Sequence, residues 1–316
     1  MDLTSRPAAH EDFAHFFDAC YHAACADQVL RQVVEHEWHV LLDSPASLSL
    51  VVEDLERPTD SRLIGCAQLV FVKGSFVRLT RELPEPWVNA RLAPAVLCSP
   101  SPLMTVAQIA RANATLGLHA VFTRWHRADW HLSNAEMLEA GIFMHAAFQH
   151  YACGYRFREI LVEATGERAR DLALRAGFHL RCDYADYYGS HPPVPPPVWH
   201  PFLMGITHAE ATAADSSMMG HYFVHRPPKL GLTPSQQALL ELCLRQPDLS
   251  DAALAATMGV PVHRVKNLLR AAYGRISDVA FELLPETGNG QRGPEKKRQL
   301  ISFLRDHPEE LRPYQR

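Results

Sequence analysis

Between Pro261 and Ile276 the chain reads PVHRVKNLLRAAYGRI, a segment that holds Arg264, Lys266, Asn267, Arg270 and Arg275 and no acid. Cations in such a segment neutralise phosphates, and Asn and Arg can also form paired hydrogen bonds to base edges in a major groove. At helical spacing Val262, Val265, Leu268, Leu269 and Tyr273 make one apolar side, which leaves Arg264, Lys266, Asn267 and Arg270 on the other. The chemistry expected of them is contact with double-stranded DNA, with Lys266, Asn267 and Arg270 at base edges and Arg264 and Arg275 on flanking phosphates.

Eighteen histidines raise the question of a metal site. His145 and His150 are five residues apart and His221 and His225 four apart, and two histidines on one helix face can begin a zinc site. Neither pair is tied to a third and fourth ligand, so packed or surface histidines and no metal are expected. The seven cysteines are odd in number and lack the short paired spacing of a zinc ribbon or a disulfide framework, which makes them reduced core residues. For acid–base chemistry Glu53, Asp54, Tyr184 and Tyr187 are candidates that no spacing links to one another.

The elements that position these residues follow from the rest of the chain. Its 316 residues are 47% hydrophobic and 21% charged, the composition of a folded protein, and the length suggests two domains of about 100 to 200 residues each. No run approaches the roughly 18 apolar residues of a membrane helix, and MDLTSRPAAHEDFAHFF has no basic start before an apolar run, so a cytoplasmic protein without a membrane partner is expected. The net charge of −4 is uneven: from Lys229 onward 13 Lys and Arg stand against 10 Asp and Glu, and before it 18 stand against 25. A basic part carried by an acidic part fits a polyanion binder.

The proline density of SHPPVPPPVWHP, Ser190 to Pro201, forbids helix and sheet interior and marks a linker. Before it, Glu11 to Leu42 suggests two helices, and SLSLVVED and SRLIGCAQLVFVKGSFVRL are strands of a hairpin about LERPTD. LHAVFTRW and FREILVEA are further strands, and SNAEMLEAGIFMHAAFQHYACG is a long helix with Ser133 or Asn134 as N-cap and Gly154 as its stop. After the linker Thr233 and Pro234 open a helix, Ser250 caps a second that ends at Gly259, and Pro261 opens a third. The predicted fold class is α+β: a mixed sheet with flanking helices over residues 1–190, a linker over 191–228, an all-α helix-turn-helix domain over 229–285, and a tail or helix over 286–316.

Leu232 to Ile276 resembles the DNA-binding domain of the LuxR/NarL regulator family in its Leu-Thr start, apolar helix, Ser-initiated scaffold helix and VKNLL segment. The resemblance implies that Lys266, Asn267 and Arg270 face DNA with Val265 packed behind them. Gln236 and Gln237 depart from the family's Glu-Arg, and RQPDLS replaces a tighter glycine turn.

GYRFREILVEATGERARDLALRAGFHL, Gly154 to Leu180, with LSLVVED and RLIGCAQLVFV upstream, resembles the GNAT acetyltransferase superfamily. That resemblance implies a GNAT-like mixed sheet and an acyl-CoA cleft. It also implies a glycine-rich loop before the long helix, where bare amides hold the cofactor pyrophosphate. The matching stretch RWHRADWHLSNAEM has no glycine, although Arg124 or Arg127 could meet a phosphate, and Ala173 stands where the family has an acid tyrosine. The sequence therefore predicts a homodimeric DNA-binding transcriptional regulator whose GNAT-like domain senses acyl-CoA or another small-molecule effector without catalysing transfer. The alternative is an acyl-CoA-dependent N-acyltransferase with an appended DNA-binding or recruitment domain.

Overall fold

The computed structural model describes residues 1–14, 28–59, 61–127, 132–191, 200–213, 217–279 and 293–315. Phe16, Phe17, Tyr21, Cys20, Cys25, Trp130, His131 and most of the proline-rich stretch lie outside the described residues. The chain divides into two compact units, Met1–Ala152 with Arg156–Val224, and Cys153–Tyr155 with His225–Arg316.

The first unit runs β1 (Leu3–Pro7), α1 (Gln28–Leu42), β2 (Ser47–Asp54), β3 (Leu63–Val72), α2 (Gly74–Glu82), α3 (Val88–Val96), α4 (Val106–Ala114), β4 (Leu118–Arg127), α5 (Asn134–Tyr151), β5 (Phe157–Thr165), α6 (Glu167–Ala176), β6 (His179–Cys182), α7 (Ala185–Ser190), β7 (Pro201–Thr207) and α8 (His208–Ala213). Its strands form one sheet in the order β1-β2-β3-β4-β5-β7-β6. Among the described residues β4 and β5 pair in parallel and the other neighbours antiparallel. The β2–β3 hairpin, the long helix between the parallel strands, and a helix closed by Gly177-Phe178 are the elements that the GNAT resemblance implies, so the topology is GNAT-like.

Nearly every residue of β3 and β7 is buried, as expected of strands covered on both faces. On one face Leu41, Val88, Leu92, Tyr184 and Tyr188 pack over Val70, Val121 and Leu161. On the other, Phe148 of α5 lies 5.5 Å from Phe122 and 5.9 Å from Trp125, ring centre to ring centre. Ser133 caps α5 in a reciprocal box with Glu136, which answers two of the helix's orphan amides.

Three expectations need correction. The segment KGSFVRL is helix α2, not a continuation of β3, because Lys73 leaves the strand with its N–H on the Pro102 carbonyl. β1, which pairs with β2, was not anticipated. The sheet unit also does not end at residue 190: β7 lies between β5 and β6, and Tyr222 and Phe223 are buried in the same unit. Residues 201–224 complete the first unit where a linker was expected. Pro201 stands at the first strand position, where its missing N–H is tolerated.

The second unit contains α9 (Pro234–Arg245), α10 (Asp251–Met258), α11 (Val262–Val279) and α12 (Gly293–Asp306). Thr233 and Gln236 form a capping box on α9, Ser250 caps α10, and Gly259 ends it at a φ of 64°. Leu239, Leu240, Cys243, Leu254, Val265, Leu269 and Ile276 share a core with Leu300, Ile301, Leu304 and Leu311. The segment expected as a tail or helix thus supplies α12 to this core. Glu310 accepts hydrogen bonds from the N–H groups of Lys229 and Leu230.

Gly177 has a φ of 105°, and a Cβ there would lie 2.5 Å from the Ser217 Cβ. Gly177→Ala therefore combines a disfavoured backbone with a clash, and a loss of about 2 kcal/mol is expected in urea unfolding, with the slope unchanged.

Candidate active site

The central parallel pair comes apart. β4 and β5 pair from Leu118–Phe157 to Phe122–Val162, with one register shift after Leu118, and no further. Beyond that point β4 stays on β3 as far as the Arg127–Gly65 pair, while β5 stays on β7 as far as the Thr165–Pro201 pair. The register on β3 shifts between Gln68, which faces Arg124, and Leu69, which faces Phe122, so Thr123 is an extra residue in β4 at the point of divergence. An inserted residue bends its strand and increases the local twist. The result is a fork whose inner edges, residues 123–127 and 163–165, have no strand between them.

Helix α3 braces the fork where its strands part. Asn89 donates from Nδ2 to the Thr123 carbonyl at 2.9 Å on one arm. On the other arm Glu163 accepts from the Trp87 N–H at 2.7 Å and from the Val88 N–H at 3.0 Å. Two non-glycine residues among those described have positive φ, Trp87 at 65° and Tyr184 at 57°. Both bear on Glu163: the Trp87 amide donates to it, and its charge acts on the Tyr184 phenol. Bulky residues held in this region of backbone space are strained, and such strain gathers where a side chain must be aimed. Burial pushes the Glu163 carboxyl up to about 7, against the pull of the two amides. Burial and the Glu163 charge push the Tyr184 phenol far up, so it stays a neutral hydrogen-bond donor.

Arg124 is one of the two arginines, with Arg127, for which a phosphate contact is expected, and the structure turns its side chain to another task. Its side chain is 4% exposed and its Nη2 donates to Glu37 of α1 at 2.9 Å. The guanidinium also lies 5.0 Å over the Trp38 ring and donates to Gln68, which accepts from Thr123 Oγ1 at 2.7 Å. It is a buried strut between helix and sheet. Glu53 pairs with Arg6 at 2.9 Å, Asp54 pairs with Arg57 at 3.0 Å, and Tyr187 stacks on His191. Of the four acid–base candidates, Tyr184 alone reaches the fork. Glu163 was missed, because an acid inside the strand pattern FREILVEA carries no spacing signal; its partners come from α3.

His145 and His221 come together, and burial followed by His221 lowers the His145 pKa. Among the described residues no group of three or more His, Cys, Asp or Glu side chains could hold a metal. In the second unit Arg264, Lys266, Asn267 and Arg270 are exposed on α11. Arg275 donates from Nη1 to the carbonyls of Leu230 at 3.1 Å and of Gly231, and so ties α11 to the start of its own unit.

No family model and no curated protein matches the chain. Solved structures do. A chimera of the spermidine N-acetyltransferase SpeG from Vibrio cholerae and hSSAT is 13% identical, with 68% of this chain and 100% of that chain covered and a TM-score of 0.38. FeeM, an N-acyl amino acid synthase from uncultured soil microbes, is 9% identical over 70% of this chain and 96% of its own, with a TM-score of 0.34. The NatC complex bound to Gag peptide and CoA is 13% identical over 66% and 99%, with a TM-score of 0.31. The expected DNA-binding transcriptional regulator is corrected by these matches, which fall on N-acetyltransferase and acyl-synthase structures.

If Arg124 is a strut, losing it strands a buried carboxylate. Arg124→Met is expected to cost on the order of 3 kcal/mol in chemical denaturation, and Arg124→Met with Glu37→Leu to recover most of that loss.

Proposed function

We propose that the chain is an acyl-CoA-dependent N-acyltransferase with an appended helical unit. The observation that carries this reading is the fork. Buried backbone N–H and C=O groups demand partners, and an open pair of strand edges takes up an extended ligand that brings amides of its own. The pantetheine arm of CoA is linear and carries two amides, so the inner edges 123–127 and 163–165 suit it. CoA supplies an acyl carbonyl activated as a thioester.

The helix that follows β4 is less suited to the phosphates. Glu136 of α5 occupies its N-terminal turn in the box with Ser133, where its charge opposes an anion. Affinity is therefore assigned to the pantetheine arm more than to the nucleotide.

At the closed end of the fork Glu163 is the group that handles the proton. As the acceptor nitrogen bonds to the acyl carbon and the carbon–sulfur bond breaks, the nitrogen sheds a proton to Glu163, and the thiolate takes one from solvent. A base with a pKa close to the working pH is the most effective compromise between availability and driving force. The Trp87 and Val88 amides orient the carboxyl, and the phenol of Tyr184 stays neutral.

Calorimetry with the full-length protein tests the binding step, with CoA, pantetheine and 3′,5′-ADP as separate titrants. CoA and pantetheine are expected to bind at one site and 3′,5′-ADP to bind poorly; tight binding of the ADP alone would contradict the assignment of the fork. Thiol release from acetyl-, octanoyl- and palmitoyl-CoA tests turnover. Its kcat/KM is expected to rise with pH through about 7, because Glu163 must lose its proton to act. In Glu163→Gln that limb should vanish and the rate fall by about a hundredfold or more; a limb that persists in the variant would assign the ionisation to another group.

A further inference from the structure

Away from the fork, two imidazoles from different elements face each other. His10, in the turn after β1, and His39, in the last turn of α1, bring their Nδ1 atoms within 2.6 Å. Both rings are carried by firmly held backbone. The turn is fixed by Asp12, which accepts a paired contact from Arg6 at 2.8 Å and the Ala9 N–H at 2.7 Å. On α1, Trp38 and Leu41 are fully buried, and Phe13 lies 5.9 Å from Trp38 and 6.2 Å from His39, ring centre to ring centre.

The second nitrogen of His10 is also engaged. Its Nε2 lies 3.1 Å from Oδ1 of Asp43, one turn beyond His39. An ionised carboxylate only accepts, so this Nε2 carries a proton, and in the neutral ring Nδ1 is left with a lone pair. That lone pair points at the nitrogen of the other imidazole. A carboxylate behind one ring, with ring nitrogens converging in front, is the arrangement that orients histidines on a metal ion. Without an ion the pair gains one neutral hydrogen bond at a surface where water serves as well.

We infer that His10 and His39 chelate one divalent transition-metal ion through Nδ1, with Asp43 supporting His10 from behind. The ion would tie the N-terminal turn to α1. Two imidazole nitrogens at metal-bond length lie roughly 2.9 Å apart at a right angle and about 3.3 Å apart at the tetrahedral angle. The pair therefore opens by less than about 1 Å as the ion enters and the proton shared by the rings leaves to solvent. The side chain of His10 is 50% exposed and that of Asp43 74%, so solvent provides the room. The smaller opening at a right angle favours Ni2+ and Cu2+ over Zn2+. Among the described residues the two imidazoles are the whole protein share, since Asp43 bonds behind His10, and water takes the remaining positions. The inference is independent of the transferase reading.

The test is calorimetric titration of the full-length protein with Ni2+, which unlike Cu2+ does not oxidise the free cysteines. One dominant site is expected. His10→Gln and His39→Gln should each weaken it at least about tenfold, and Asp43→Asn, which keeps both ligands, by about tenfold. Far-UV circular dichroism and the urea midpoint without metal check that the variants fold. Saturating Ni2+ should raise the urea midpoint of the wild type and leave that of His39→Gln where it is. The absence of saturable binding would overturn the inference. So would a dominant site kept at full strength in either histidine variant, which would put the ion on other residues, or a midpoint that rises equally in His39→Gln.

Discussion

Two parallel strands that start together cannot stay together when each is claimed more strongly by its outer neighbour. β4 remains on β3 for five residues after it has left β5, and β5 remains on β7 for three. The extra residue Thr123 turns β4 aside at the point where the pairing stops. The remaining features of the first unit follow from that divergence. Inner edges at the middle of a sheet cannot be left to themselves, because water reaches them poorly and the backbone groups are obligatory partners. They are either filled by protein or kept for a ligand.

The fold fills the closed end of the fork and keeps the rest. Helix α3, inserted between β3 and β4, meets Thr123 on one arm and Glu163 on the other. It holds the arms apart. Arg124 and Glu37 of α1 form a buried pair whose hydrogen bonds run through Gln68 to Thr123. A pair of this kind contributes little net stability relative to apolar packing, but it fixes which helix meets which strand. The extra residue of β4 is thereby held by two helices, through its hydroxyl from α1 and through its carbonyl from α3.

Much of the framework was legible. The β2–β3 hairpin, the caps at Ser133, Thr233 and Ser250, and the glycine stops at Gly177 and Gly259 carry local signals that no distant contact overrides. β7 was hidden because the prolines before it advertise a linker, and nothing local says that the strand they precede belongs between β5 and β6. Arg124 drew attention as a cation near a loop, yet burial and Glu37 decide its role, and both are tertiary facts. The basic face of α11 drew attention for the same reason, and Arg275 turns out to serve backbone carbonyls. The candidate site was nearly silent: Asn89, Glu163 and Tyr184 are far apart in the chain and share no motif. Only the fork, with α3 laid across it, brings them together.

The measurement that bears most directly on the fork is amide hydrogen exchange of the full-length protein, followed by mass spectrometry, with and without CoA. A pantetheine arm that pairs with the open strand edges should slow exchange in peptides covering residues 123–127 and 163–165, with smaller changes elsewhere in the sheet. CoA that binds while exchange at both arms stays the same, with protection confined to other segments, would contradict the placement of the ligand and the transferase built on it.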